Sequence, residues 1–211
     1  MPNVELKKQI NEQVNILRTK ENYYLHMVEK TFGDQEECVF NIIPNFHVVQ
    51  NFSCDPMHDV LEGICRYDMG QILNMLINEE NLFDIDVLNQ RMSCFSYVST
   101  DTNIPPPLSL ECIKNENIIL TASEMLCLVK NFNLFIGDLV SNNNKVWKLY
   151  LILRKIVCII MLESINEDII DTFQNLYIQY LHYVKKYSNV LINLNIITFC
   201  IIRESCVCSV L

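Results

Sequence analysis

Apolar residues recur at spacings of three and four along most of the chain, which is the pattern of amphipathic helices. The spacing predicts helices over residues 4–30, 56–78, 84–97, 146–162 and 166–187. Another helix begins after Thr121, since Thr121-Ala-Ser-Glu124 has the form of a capping box, and ends near Asn133. His47-Val-Val-Gln50 predicts one short strand. The pattern therefore predicts an all-α fold, an irregular bundle of five to six helices.

Changes in this pattern divide the chain into three parts. Residues 1–53 hold the N-terminal helix and a short extended segment, and residues 54–187 form a helical domain. A loop near residues 99–109 interrupts that domain, because no helix continues through Pro105-Pro-Pro107. Residues 188–211 are an apolar tail whose first fifteen residues carry no charge. We expect this tail to be foreign to the helical domain.

The densest candidate chemistry lies at the start of the second predicted helix. Asp55 followed by Pro56 is a strong helix start, since the carboxylate accepts free N–H groups and proline fits the first position. At α-helical spacing the polar side chains of this turn share one face: Asp55, His58, Asp59 and Glu62. The set Asp55, His58 and Glu62 could bind a divalent metal or relay a proton. The alternative is an N-cap followed by a solvated acidic turn, which the helix dipole favours.

Three other positions carry structural expectations. Gly63 and Gly70 lie inside the predicted helix, where glycine is unfavourable by about 1 kcal/mol relative to alanine, so both predict close packing against backbone. Asp138 follows Gly137 and is interpreted as a turn residue rather than a catalytic carboxylate.

Composition limits the classes of function. Half of the residues are hydrophobic and 19% are charged, which predicts a folded chain. The net charge of −9 makes DNA binding by this chain unfavourable, because phosphate contacts need many lysines and arginines. The ten cysteines include no C-x-x-C pair, which favours buried, reduced thiols over a zinc site. Charges within residues 146–162 argue against a membrane span. We expect an intracellular protein, nuclear or cytoplasmic.

Several segments resemble one protein family. Phe46-His47, followed by Asp55-Pro-Met-His-Asp-Val-Leu-Glu-Gly63, is similar to the F-H and D-x-M-H-D-x-x-E-G blocks of animal CACTA-like (EnSpm) transposases. Further similar blocks lie elsewhere in the chain: residues 17–23 (L-R-T-K-E-N-Y), 120–125, 135–140 and 144–150. The resemblance covers residues 17–187, and Asp55 and His58 match the family's Asp-x-x-His pair.

The resemblance implies a fold and a history. In that family the Asp-x-x-His pair lies between the second catalytic aspartate and the catalytic glutamate of an RNase H-like DDE domain. Residues 54–187 would match the helical region inserted in that core. The G-D-N and R-F-E blocks that hold catalytic carboxylates in the family do not occur in this sequence. We therefore expect a non-catalytic, transposase-derived fragment whose ancestral role is DNA transposition. No catalytic residue and no cofactor are expected, with Mg²⁺ or Mn²⁺ needed only by an intact transposase.

Two other hypotheses remain open. The first is a helical protein–protein interaction module, with a protein partner or a second copy of the chain on apolar faces left uncovered. The second is a divalent-metal-dependent enzyme using Asp55, His58 and Glu62, which would need further ligands from other helices.

Overall fold

The computed structural model describes residues 19–30, 36–51, 55–98, 103–164 and 166–187. Within these ranges the backbone is helix, turn or loop, with no strand, and the predicted all-α class is confirmed. The chain divides into two compact units. The described residues of the first lie between 19 and 51, and those of the second between 55 and 187. The apolar tail, residues 188–211, lies outside the described residues.

The first unit contains α1 (Lys20–Glu29), a short 3-10 turn (Val39–Ile42) and α2 (Val48–Asn51). Thr19 caps α1, since its hydroxyl accepts from the Asn22 N–H at 3.2 Å. The predicted first helix is thus confirmed from Lys20 onwards, whereas its earlier residues lie outside the described ranges.

The strand predicted at His47 is wrong, because α2 occupies these residues. Two asparagine side chains satisfy backbone N–H groups that a strand would offer to a neighbour. Asn51 Oδ1 accepts from the His47 N–H at 2.7 Å, and Asn41 Oδ1 accepts from the Val48 N–H at 2.9 Å. Such local bonds compete with sheet pairing and favour a turn or a short helix.

Two of the family-like segments meet within the first unit. Tyr23, from the L-R-T-K-E-N-Y segment, is buried and packs edge-on against His47, with ring centroids 5.3 Å apart. Tyr24 contacts the same imidazole at 5.7 Å. The Tyr23 hydroxyl also accepts from the Cys38 N–H at 2.8 Å, which links α1 to the 3-10 turn. Tyr23 and His47, which are both buried, therefore form the packed contact between these two segments.

The described residues of the second unit form six helices. The first, α3, consists of a π-helical segment (Pro56–Ile64), an α-helical segment (Cys65–Asn74) and a second π-helical segment (Met75–Glu79). The other five are α4 (Ile85–Cys94), α5 (Leu110–Lys114), α6 (Ala122–Ile136), α7 (Lys145–Ile160) and α8 (Glu167–Tyr187). These bounds agree with the predicted helices, and α5 is the element that the sequence pattern missed.

The helix α3 is central, since it packs against α5, α6 and α7. Its inward residues are fully or almost fully buried: Val60, Leu61, Ile64, Cys65, Met69, Ile72, Leu73 and Leu76. The helix α7 packs against α6 on one side and α8 on another, which explains its wide apolar stripe. Trp147 is 3% exposed and belongs to this core, beside Tyr150 at 4.8 Å between ring centroids.

Polar side chains fix the helix starts and one loop of the second unit. Thr121 and Glu124 form the predicted capping box of α6, and Asn166 caps α8 by accepting from the Ile169 N–H at 2.9 Å. Residues 103–109 of the proline-rich loop have no regular structure, as predicted. The Asn89 side chain holds the end of this loop, with two hydrogen bonds of 2.8 and 2.9 Å to the Leu108 backbone.

Of the two glycines predicted to pack closely against backbone, one does so and one does not. A Cβ on Gly70 would lie 2.5 Å from the carbonyl carbon of Glu116, so this glycine does allow close backbone packing. For Gly63 the nearest atom is a carbonyl oxygen of its own helix, that of His58, and the prediction is wrong there.

The six cysteines of the described ranges are free thiols, as expected, but only Cys65 and Cys127 are buried, and Cys94 is exposed.

Candidate functional site

The candidate site lies at the first turn of α3, where the sequence predicts it. Asp55 is the N-cap, with extended backbone (φ −94°, ψ 105°), and Pro56 occupies the first helical position. One carboxylate oxygen of Asp55 accepts from the N–H groups of Met57 (2.9 Å) and His58 (3.3 Å). The cap therefore satisfies two backbone donors that the helix leaves without internal partners.

Asp59 also stabilises this first turn, through hydrogen bonds to the backbone of Asp55. Its carboxylate accepts from the Asp55 backbone N–H at 2.9 Å, and the Asp59 N–H donates to the Asp55 carbonyl at 2.8 Å. This reciprocal arrangement resembles a capping box with the acidic residue one position later than usual. Two of the four polar residues of the candidate site thus hold the helix start.

The remaining Asp55 oxygen pairs with His58. Asp55 Oδ2 lies 2.5 Å from His58 Nδ1, and both side chains are exposed, Asp55 by 50% and His58 by 72%. Hydrogen bonding to His58, followed by the Met57 N–H, lowers the pKa of Asp55 below its usual value. The same hydrogen bond, with Coulombic attraction to Asp55 and Glu62, raises the pKa of His58. The carboxylate orients the imidazole and favours its protonated form.

Glu62 does not join this pair. Its carboxylate accepts from the Ala122 N–H at 3.0 Å, at the first position of α6. The π-helical hydrogen bonds of residues 56–64 put more residues into each turn than an α-helix does, so the seventh residue after Asp55 does not return to the Asp55 face. The prediction that Asp55 and Glu62 share one face assumed α-helical geometry. Because residues 56–64 are π-helical, that prediction is wrong.

The metal-binding potential of this turn follows from these contacts. Asp55 and His58 together offer one carboxylate and one imidazole, two ligands where zinc sites in proteins use at least three. Among the described residues no group of three or more histidine, cysteine, aspartate or glutamate side chains is arranged to hold a metal ion. What the turn can do by itself is hold a proton on an exposed imidazole at near-neutral pH.

The structure also reveals a polar pair that the sequence interpretation missed. Asp68, in the middle of α3, is 2% exposed and accepts a hydrogen bond from the Tyr180 hydroxyl of α8, which is completely buried. The sequence contains an indication that Asp68 is buried. Asp68 lies four residues after Ile64 and four before Ile72, and both isoleucines belong to the inward stripe of the helix. A carboxylate at that spacing predicts a buried acid with a partner.

Asp138 has the structural role expected of it. It lies in the turn after α6, and both carboxylate oxygens accept from the Arg91 guanidinium, one of them at 3.0 Å. Arg91 also donates to the Phe135 carbonyl at 2.8 Å. The hydrogen bond to Arg91 lowers the pKa of Asp138. This ion pair joins α4 to the end of α6.

Comparison with known proteins gives no match to a family model, a curated protein or a solved structure. Within the described residues, no helix combines the length and the apolar character needed to cross a membrane.

Proposed function

We propose that this chain is a non-catalytic, transposase-derived domain in which the Asp-x-x-His segment holds helices in place. The observation that carries the proposal is where the acidic side chains of this segment bind. Asp55 and Asp59 accept backbone N–H groups at the start of α3, and Glu62 accepts one at the start of α6. Each carboxylate therefore has a structural partner, and the segment connects two helix starts.

The chemistry of strand transfer supports the same proposal. In-line phosphoryl displacement of the DDE type uses carboxylates that hold two divalent ions about 4 Å apart. The family blocks that supply those carboxylates do not occur in residues 1–211, and the net charge of −9 opposes binding to the DNA backbone. In this role the chain needs no cofactor, and we propose an intracellular location, nuclear or cytoplasmic.

A nuclease and strand-transfer assay tests the proposal. Purified protein with Mg²⁺ or Mn²⁺ is expected neither to nick nor to join supercoiled DNA. Asp55→Ala and His58→Ala serve to distinguish intrinsic activity from contamination, and Asp138→Asn is a matched variant in an ion pair elsewhere. Metal-dependent cleavage that disappears in the first two variants and persists in the third would overturn the proposal in favour of the metal-dependent enzyme.

A second candidate function is a protein-interaction module. It is favoured by large apolar side chains exposed on the second unit: Ile119 (73%), Ile178 (64%) and Leu134 (59%). Scattered exposed apolar residues are normal, so the discriminating measurement is association itself. Sedimentation velocity over a wide range of protein concentration would show a reversible dimer, weakened by Ile119→Ser or Ile178→Ser. A monomer at every concentration would reject self-association as the role of these exposed side chains.

A further inference from the structure

The buried pair formed by Asp68 and Tyr180 connects the first and last helices of the second unit. Asp68 lies in the α-helical middle segment of α3, and Tyr180 lies 112 residues later, in α8. The Tyr180 hydroxyl donates to Asp68 Oδ2, and both side chains are almost completely inaccessible to solvent, at 2% and 0% exposure. The helix α8 packs mainly against α7, and its residues Phe173, Leu176 and Val184 are buried.

Burial and one hydrogen bond from Tyr180 dominate the surroundings of Asp68 among the described side chains. The titratable groups that face it are the Cys65 thiol from α3 and the Tyr180 hydroxyl from α8, with Tyr177 next to Tyr180. Among the side chains that the structure describes, no lysine, arginine or histidine forms an ion pair with Asp68. A single neutral hydrogen-bond donor does not replace the hydration of a carboxylate, so the protonated acid is the favoured form in this interior.

We propose that the attachment of α8 to α3 is controlled by the protonation of Asp68, being tightest in acid and progressively weaker towards neutral pH. When Asp68 is protonated, both partners of the buried pair are neutral. When Asp68 is ionised, an uncompensated charge lies between the two helices. Separation of α8 then lets water reach the carboxylate, and it uncovers the apolar faces that Phe173, Leu176 and Val184 cover.

The pH window follows from the linkage between protonation and packing. Burial raises the pKa of Asp68 from 3.8 to about 7, against a smaller opposing effect of the Tyr180 hydrogen bond. With α8 detached, Asp68 has its ordinary pKa, and the attached state therefore holds the proton over the interval between the two values. Across that interval each unit of pH makes opening of α8 about tenfold easier, and above about pH 7 the effect levels off.

Native-state hydrogen exchange of the α8 amides tests the proposal in the full chain. After correction for the intrinsic exchange rate at each pH, the opening equilibrium constant is expected to rise roughly 50-fold from about pH 5 to about pH 7, and only about twofold beyond. In Asp68→Asn, which is neutral at every pH, this rise is expected to vanish. Asp171→Asn is the matched control, since it removes an exposed carboxylate of α8 itself, and it is expected to keep the wild-type profile.

Two results would overturn the proposal. One is a wild-type opening constant that does not change between about pH 5 and about pH 7. The other is an Asp68→Asn variant with the wild-type pH dependence, which would assign the effect to another group. The wild-type profile decides the matter even if the asparagine variant fails to fold. The stability linked to the raised pKa of His58 changes mainly above pH 6.5, so the rise between about pH 5 and about pH 6 is the part of the profile assigned to Asp68.

Discussion

Asp55 and Asp68 lie in the same helix and have opposite environments. Asp55 is half exposed at the N-cap, where His58 and two backbone N–H groups stabilise its charged form and lower its pKa. Asp68 is buried in the middle of α3, where desolvation raises its pKa to about 7 and one tyrosine is its partner. A carboxylate's position along one helix therefore decides which charge state the fold favours.

The glycines of the two regions also differ in their contacts. Gly70, in the packed middle of α3, lies against the backbone of Glu116 and Asn117. In the outer π segment, a Cβ added to Gly63 would lie 3.0 Å from one carbonyl oxygen of its own helix. We expect Gly70→Ala to destabilise the protein by about 1–3 kcal/mol or more, because the backbone of the facing turn must move. Chemical denaturation measures this effect.

Gly63→Ala is the matched control for that experiment. It is expected to be clearly milder, since it disturbs a single contact within the π segment and gains the helix propensity of alanine, about 1 kcal/mol. Equal losses in the two variants would contradict the difference in local backbone contacts between Gly70 and Gly63.

Tyr180→Phe tests the inner carboxylate next. At about pH 8, where Asp68 is largely ionised, loss of the hydroxyl removes the donor to a buried charge and should cost about 1.5–3 kcal/mol. At about pH 5 the bond joins two neutral groups, and the cost should fall to about 0.5–1.5 kcal/mol. Urea denaturation at the two pH values measures the difference. In the Asp68→Asn background the cost of Tyr180→Phe should be smaller and should not change with pH, so the coupling energy of the double-mutant cycle should be larger at about pH 8 than at about pH 5.

Asp55→Ala tests the outer carboxylate and has a smaller expected effect. Loss of the N-cap should cost about 0.5–2 kcal/mol, measured by thermal or chemical denaturation at pH 7. Asp55→Asn should cost little, because asparagine caps helices about as well as aspartate. If the asparagine variant were as damaging as the alanine variant, the charge of Asp55, and not its capping bonds, would be the important property.

The smallest effect concerns the exposed imidazole. NMR titration should place the pKa of His58 above 6.5, and Asp55→Asn should return it towards that value, because the hydrogen bond to Asp55 is the main cause of the increase. Because the pKa of His58 is higher in the folded protein, the pair stabilises the fold below pH 6.5. This contribution to stability is lost as pH rises through the raised pKa. Asp138→Asn, in the ion pair with Arg91, should leave the His58 titration unchanged.

Local sequence patterns predicted much of the second unit. The capping box at Thr121, the cap at Asp55 and the apolar stripes of α6, α7 and α8 all depend on residues within one or two turns, whose geometry follows from the helix itself. The strand prediction at His47 was wrong because two asparagine side chains satisfied backbone donors, a detail that β-branched composition does not reveal.

The all-α class, most helix starts and the Asp55–His58 pair follow from the sequence alone, because they are consequences of hydrogen bonds and spacing within a single turn. The partners of Glu62, Asp68 and Gly70 depend on the packing of the helices, since they lie 46 or more positions away in Ala122, Tyr180 and Glu116. The direction in which each side chain of α3 points sets which helix it contacts. Its π segments change that phase in a way that a regular 3.6-residue period cannot represent.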